Sequence, residues 1–104
     1  GGPPAPFLQG ATEAETEAER RTRHRLAPPW NVVVHDDPVT LMSYVTHVFM
    51  TVLGYPRAKA HRLLLEVHHQ GRSVVWTGGR EQAEVYLFKL QGYKLITTME
   101  RVDG

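Results

Sequence analysis

Cysteine is absent from this chain of 104 residues. Disulfides, thiolate zinc sites and cysteine nucleophiles are therefore excluded together, and the composition fits a reducing compartment. The chain also lacks an excess of one charge: its formal net charge is +1 and its pI is about 8.3, so no general case for nucleic-acid binding arises. No apolar run reaches the roughly 18 residues of a membrane span. No signal peptide is visible in a chain that begins at Gly1, so we expect a cytoplasmic location and no membrane contact.

The first 29 residues differ in composition from the rest. GGPPAPFLQG is rich in Pro and Gly, which favours no regular structure. ATEAETEAERRTRHR then places Glu and Arg at i, i+4 spacing, and Thr12 or Thr16 can cap a transient helix with a Glu three residues on. No apolar stripe exists to dock such a helix. We therefore expect residues 1–29 to form a disordered extension that ends at Pro28-Pro29.

Residues 30–104 are predicted to form one α+β domain, and the 41% of hydrophobic residues in the chain is enough for a modest core. Apolar periodicity, with Gly and Pro at the boundaries, predicts six elements. They are a strand over 31–34, a helix capped by Thr40 and ended by Gly54, a helix from Pro56 to Gly71, a strand over 73–76 before a turn at 77–79, a helix over 80–91 and a strand over 93–101. The result is a three-stranded sheet with helices packed against it.

A pocket is one interpretation of the first two predicted helices. Met42 and Val45 are i, i+3 on the first helix, and Leu64, Val67 and His68 are i, i+3, i+4 on the second, so each set shares a face. Apolar walls with a few convergent polar groups are typical of a small-ligand site. The spacing alone leaves open that these apolar residues are ordinary core, with His68 placed favourably at the negative end of a helix dipole.

Three polar residues, His35, Asp36 and Asp37, follow the first predicted strand. Ionisable groups on a loop after a strand often carry function. The alternative is a polar strand end that forms an Asx-type turn before a helix. If the pocket exists, these residues and His68 would form its rim.

Four separated blocks occur in the order typical of one protein family: NVVVHDDPVTLMSYV, LLLEVHHQGR, VVWTGGREQAE and LITTMER. From Trp30 to about Arg101 the chain thereby resembles ClpS, the bacterial adaptor of the N-degron pathway, in its actinobacterial form. The resemblance implies a β-α-α-β-α-β sandwich with a three-stranded antiparallel sheet and three helices, with no enzymatic activity and no cofactor. Members of the family hold proteins whose first residue is Leu, Phe, Tyr or Trp. They deliver them to an AAA+ unfoldase of the ClpA or ClpC type, which feeds the ClpP protease.

The resemblance also implies roles for individual residues. It implies that His35, Asp36 and His68 bind the α-amino group and that Asp37 lies near the site. It implies that Glu81, Glu84 and Tyr86 on the third predicted helix bind the unfoldase. The hydrophobic pocket is formed by Thr40, Met42, Val45, Leu64, Val67 and Leu95.

Three positions depart from the family pattern. The family usually has Asn at the position of His35; Asn offers a carbonyl and an amide together, whereas neutral His offers one acceptor and one donor. The turn at Pro38-Val39 is one residue longer than usual. Tyr86 stands where some relatives have Lys in the docking face.

Two other kinds of protein remain as alternatives. One is an enzyme or metal protein that uses the six His residues, but no H-E-x-x-H motif occurs and without Cys the set of ligands is thin. The other is a non-catalytic interaction module of similar fold whose pocket is filled core.

Overall fold

The computed structural model describes residues 15–102. Within this range the chain has four helices and three strands. In chain order they are α1 (Glu17–Leu26), β1 (Trp30–His35), α2 (Met42–Leu53), α3 (Arg57–Gln70), β2 (Arg72–Gly78), α4 (Arg80–Gly92) and β3 (Thr97–Arg101). The predicted order of strand, helix, helix, strand, helix, strand is therefore confirmed, with one further helix before it. No helix within the described residues is long and apolar enough to cross a membrane.

The strands form one antiparallel sheet in the order β2-β1-β3. The run of Val32, Val33 and Val34 occupies the central strand, and all three side chains are buried. The β1–β2 ladder shifts register because Val32 faces Trp76 whereas Val33 faces Val74, so Val75 is the extra residue of a bulge. This arrangement places the C-terminal end of β1 at the edge of the sheet where β2 and β3 begin.

Glycine ends both helices that follow β1. Gly54 after α2 has φ 72° and Gly71 after α3 has φ 87°, and this left-handed conformation favours glycine. The loop between α2 and α3 is attached to the sheet through Tyr55, whose hydroxyl donates to the carbonyl of Val75 at 2.7 Å. Burial raises the pKa of Tyr55 from its ordinary value, and the phenol of Tyr86 adds to this shift.

The core lies between the sheet and the helices α2, α3 and α4. Its members have apolar side chains at the spacing that the sequence predicted for inward faces. The buried set includes Val32, Val34, Val45, Val48, Phe49, Ala60, Leu63, Leu64, Val67, Val75, Ala83, Leu90 and Leu95. Leu87, predicted to be inward, is half-buried.

Helix α1 corrects the prediction that the whole of residues 1–29 lacks regular structure. Thr16 caps it with the predicted capping box: its side chain accepts from the Glu19 backbone, and the Glu19 carboxylate accepts from the Thr16 backbone. Hydrogen bonds from Arg23 to Glu15 and from Arg20 to Glu17 lower the pKa of each glutamate. No residue of α1 is buried, so these local interactions form the helix without a docking surface. The alternative cap, Thr12, lies outside the described residues.

Element boundaries also differ from the prediction. Leu41, not Thr40, is the N-cap of α2, because the Thr40 hydroxyl donates to Asp37 instead of capping the helix. Thr77 and Gly78 continue β2 rather than forming a turn. The last strand begins at Thr97 rather than residue 93, since the backbone turns at Lys94, where φ is 72°.

Candidate functional site

A cavity of about 280 Å³ opens at the C-terminal end of β1, between α2 and α3. The structure brings to it every residue predicted for the pocket and its rim. These are His35, Asp36, Asp37, Thr40, Met42, Val45, Leu64, Val67, His68 and Leu95. Val34, Pro38 and Ile96 also line it and were not predicted. Nothing in their spacing marked them, because a strand residue and two loop residues become neighbours only in the folded chain.

The walls of the cavity are apolar and largely covered. Val45, Leu64, Val67 and Leu95 are buried, with at most 8% of each exposed. Met42 differs because 43% of it is exposed, which places the thioether at the mouth. A bulky apolar side chain could therefore enter past Met42 and be buried against the other four.

A backbone hydrogen bond joins the two parts of the polar rim. The amide of Asp36, just after β1, donates to the carbonyl of Gly71, the C-cap of α3, at 2.9 Å. His68 lies in the last turn of α3, three residues before that glycine. Asp36 and His68, distant in sequence, are thus held on one rim by main-chain contacts that do not use either side chain.

Asp37 forms the Asx-type turn that the sequence allowed. One carboxylate oxygen accepts from the Val39 amide at 2.9 Å, and the other accepts from the Thr40 hydroxyl at 3.0 Å. Asp37 thereby fixes the loop that closes the cavity. The side chain of Asp36 is exposed and has no hydrogen bond to another residue within 15–102, so its carboxylate is available to a ligand.

His35 is held by β3. Its amide donates to the Ile96 carbonyl at 2.9 Å, and its ring Nε2 lies 2.7 Å from the Thr98 hydroxyl oxygen. This contact occupies Nε2 and leaves Nδ1 available for a hydrogen bond to a ligand. The ring of His68 is exposed and meets the ring of His69 edge-on, with centroids 5.2 Å apart. His69 does not line the cavity.

In the described part of the chain, no group of three or more His, Cys, Asp or Glu side chains is arranged to hold a metal ion. A cavity at the predicted place also argues against the alternative in which this pocket is filled core.

A second predicted surface lies on α4. Glu81 is exposed, and Glu84 pairs with Arg80 at 3.9 Å on the same helix. Val85 and Phe88 are 41% and 64% exposed, and their i+4 spacing from these glutamates places them on the same face. Sequence reasoning missed both, since an exposed apolar residue on a helix looks like a core residue until the packing is known.

Tyr86 was also assigned to this docking face, and that assignment stays a prediction. Its ring is half-buried against the core and meets Trp76 in a T-shaped contact, with centroids 5.1 Å apart. On the helix it lies on the side of Ala83 and Leu90, which are fully buried. Tyr86 therefore joins α4 to the sheet.

Comparisons with a family model and with curated proteins show similarity to ClpS adaptors. The family model described as "ATP-dependent Clp protease adaptor protein ClpS" matches residues 25–101. The chain is 51% identical over 73 residues to the ATP-dependent Clp protease adapter protein ClpS of Streptomyces avermitilis, covering 70% of each protein. It is 45% identical over 85 residues to the protein of that name from Mycobacterium marinum, covering 82% of this chain and 84% of the relative.

A solved structure gives the same result at the level of the fold. Agrobacterium tumefaciens ClpS2, solved with L-phenylalaninamide bound, matches with a TM-score of 0.65 and 25% identity. The match covers 72% of this chain and 98% of the ClpS2 chain. The sequence and the fold agree, and the chain belongs to the ClpS family of Clp protease adaptors.

Proposed function

We propose that this adaptor binds the free N-terminus of proteins whose first residue is Leu, Phe, Tyr or Trp, and delivers them to a ClpC- or ClpA-type unfoldase for degradation by ClpP. The observation that carries the proposal is the cavity at the C-terminal end of β1, which combines apolar walls with a rim of Asp36, His35 and His68. The protein holds and transfers a substrate in this role and catalyses no reaction.

The rim suits an α-amino group. A free N-terminus is an ammonium with three N–H donors, and it needs acceptors. The carboxylate of Asp36 and a neutral ring nitrogen of His68 can accept, and Nδ1 of His35 is a third candidate. Each charge-assisted hydrogen bond contributes roughly 1.5–3 kcal/mol. A residue within a chain has no such ammonium, so the rim selects the first residue.

The walls suit the first side chain. At about 280 Å³ the cavity is smaller than the sites of drug-sized ligands and fits a single residue. Burying a Phe or Leu side chain contributes roughly 1.5–3 kcal/mol. Together with the amine contacts, and less the association cost, this supports micromolar affinity, about −8 kcal/mol.

The ligand of the solved relative is consistent with this chemistry. L-Phenylalaninamide, bound to Agrobacterium tumefaciens ClpS2, has a free α-amine, a benzyl side chain and an amide in place of a carboxylate. It therefore resembles the first residue of a peptide beginning with Phe. Its amine and its benzyl side chain fit the rim and the walls described here.

Short peptides that differ only in residue one test the proposal. Isothermal titration should give micromolar binding for Phe, Leu, Tyr and Trp, and no measurable heat for Ala or Lys. Burial of the first side chain separates these groups, because Ala and Lys cannot fill apolar walls. Equal binding of the Ala-first and Phe-first peptides would contradict the proposal.

Delivery is assigned to the α4 face. Glu81 and Glu84, with Val85 and Phe88 beside them, offer an acidic and apolar surface away from the cavity residues. The double substitution Glu81→Lys and Glu84→Lys should weaken binding to a ClpC-type N-terminal domain, because both charges reverse. Affinity for a Phe-first peptide, measured on the same variant, should be unchanged. Loss of both activities together would indicate misfolding and contradict the docking role.

A further inference from the structure

A groove lies beside the cavity and shares two residues with it. It runs between α2 and α3, encloses about 730 Å³ and is open to solvent. Met42 and Leu64 line both the groove and the cavity, so they form the wall between the two. Ser43 and Thr46 of α2 line one side of the groove, and Arg57 and His61 of α3 line the other.

One face of α3 connects the groove to the rim of the cavity. Arg57, His61, Leu64 and His68 are spaced i, i+4, i+7 and i+11, so they lie in one row along the helix. The rise of 1.5 Å per residue puts His61 about 10 Å from His68 along this row, which is about three residues of extended peptide. A peptide whose amine lies at His68 can therefore reach His61 with its third or fourth residue.

The groove is positively charged. No residue that lines it is acidic, and Arg57 and His61 are exposed. Within residues 15–102 neither forms an ion pair with a carboxylate. Arg57 is also the first residue of α3, where the first turn contains no acidic side chain to offset the positive end of the helix dipole. An anionic side chain would find the guanidinium of Arg57, a ring N–H of His61 and the hydroxyl of Ser43 there.

We propose that this groove is a second subsite, which holds residues two to four of the bound protein and favours Asp or Glu at those positions. The inference rests on the proposed function, because it assumes that residue one occupies the cavity. It adds a preference in sequence beyond the first residue. Continuity of the groove with the cavity and its positive charge are the two observations that select this occupant.

Peptides of the form Phe-X-X-X-Gly, with X as Glu, Gln or Lys, test the subsite by isothermal titration. The wild-type protein should bind the Glu peptide more tightly than the Lys peptide, by about twofold to fivefold for each ion pair formed. Arg57→Glu should abolish or reverse that preference. Glutamate at the start of a helix is favourable, so the variant should fold, and a circular dichroism spectrum and melting temperature like those of the wild type will verify it.

The matched control is Arg62→Glu, which makes the same change of charge on an exposed residue of α3 that lines neither the groove nor the cavity. It should keep the wild-type preference. An equal loss of preference in Arg62→Glu and Arg57→Glu would show an effect of overall charge and overturn the subsite. An identical preference in Arg57→Glu and wild type would overturn it as well. In both cases Phe-first peptides still bind and the proposed function stands, whereas failure of every Phe-first peptide to bind overturns both.

Discussion

Met42 is 43% exposed, whereas the wall residues Val45, Leu64, Val67 and Leu95 are buried, and this position at the mouth predicts a role in selecting the first residue. An unbranched thioether packs against Leu or an aromatic ring. Met42→Ala should make room for β-branched first residues, so peptides beginning with Ile or Val should gain affinity. Titration of Ile-first and Phe-first peptides against both proteins measures the change in selectivity.

Leu41→Ala is the control for this prediction. Leu41 is adjacent, 73% exposed and absent from the cavity lining. It should leave the selectivity unchanged. If Met42→Ala rejects Ile and Val as the wild type does, Met42 has no part in selecting the first residue.

The acceptor role of His68 predicts a decline of affinity in acid. A protonated imidazole has no acceptor and repels an ammonium, and histidine in general changes charge between about pH 5 and 8. Affinity for a Phe-first peptide should therefore be full near neutral pH and fall as the pH decreases from 7 to 5. One histidine gives a limiting fall of about tenfold per pH unit, and two give about a hundredfold. Isothermal titration across this range measures the slope.

Two variants assign the histidine. His69→Ala removes the neighbouring ring, which does not line the cavity, and should keep the decline. His35→Asn restores the residue usual in the family and should reduce a hundredfold slope to a tenfold one. A flat profile in the wild type would mean that neither imidazole accepts from the amine, and the rim would then depend on Asp36 alone.

Helix α1 is stabilised by its own side chains, because none of its residues is buried. Thr16→Ala removes one half of the capping box and should cost about 1 kcal/mol of helix stability. Thr22→Ala makes the same chemical change inside the helix, where Ala is the better helix former, and should raise helicity instead. Circular dichroism of peptides spanning residues 11–29 at low temperature compares them. Equal effects of both substitutions would contradict the capping role.

The same helix should weaken in acid. Hydrogen bonds from Arg23, Arg20 and Thr16 lower the pKa of Glu15, Glu17 and Glu19 below the ordinary value of 4.5. A glutamate whose pKa is lower in the folded helix than in the unfolded chain stabilises the helix at pH values above the unfolded-state pKa. This stabilisation is lost as the pH falls through the folded-state pKa. Helicity of the peptide should therefore drop below pH 4.5, and an unchanged spectrum at pH 2.5 would contradict it.

At the level of elements, the sequence predicts helix boundaries best where a residue type has only one structural role. Gly54 and Gly71 end helices because the left-handed backbone suits no other residue as well, and both positions were predicted correctly. Thr40 was predicted as a cap but donates to Asp37, because a hydroxyl can serve several acceptors and the local fold decides between them. The stability of helix α1 was underestimated. A helix without an apolar stripe depends on the combined contribution of its capping box and its ion pairs.

For the whole molecule, spacing predicted the two apolar faces but not their meeting point. The hydrogen bond from Asp36 to Gly71 places His68 beside the end of β1, and no local pattern specifies a contact between residues so far apart. The resemblance to a family supplied that arrangement in advance. Where the resemblance was carried over without packing, as for Tyr86, the docking role stays a prediction, and the structure adds that the ring packs against Trp76.

Deletion of residues 1–29 tests the division of the molecule into an extension and an adaptor domain. Among residues 15–102 the cavity is lined from Val34 onward, so affinity for a Phe-first peptide should be unchanged. Delivery should fall, because an extended chain could enter the translocation channel of the unfoldase. Degradation of a Phe-first protein by an unfoldase and ClpP reports delivery, and titration with a Phe-first peptide reports binding. Measuring both on the deletion variant separates delivery from binding. A fall in peptide affinity would mean that the extension contacts the cavity.

Acetylation of the peptide amine tests the central claim most directly, because it removes the positive charge and leaves residue one otherwise intact. Isothermal titration at neutral pH would compare a Phe-first peptide with its N-acetylated form. Micromolar affinity for the free peptide and no measurable binding of the acetylated one are expected, since the rim then has no ammonium to bind. Equal affinity for the two peptides would contradict the claim that this cavity recognises a free N-terminus.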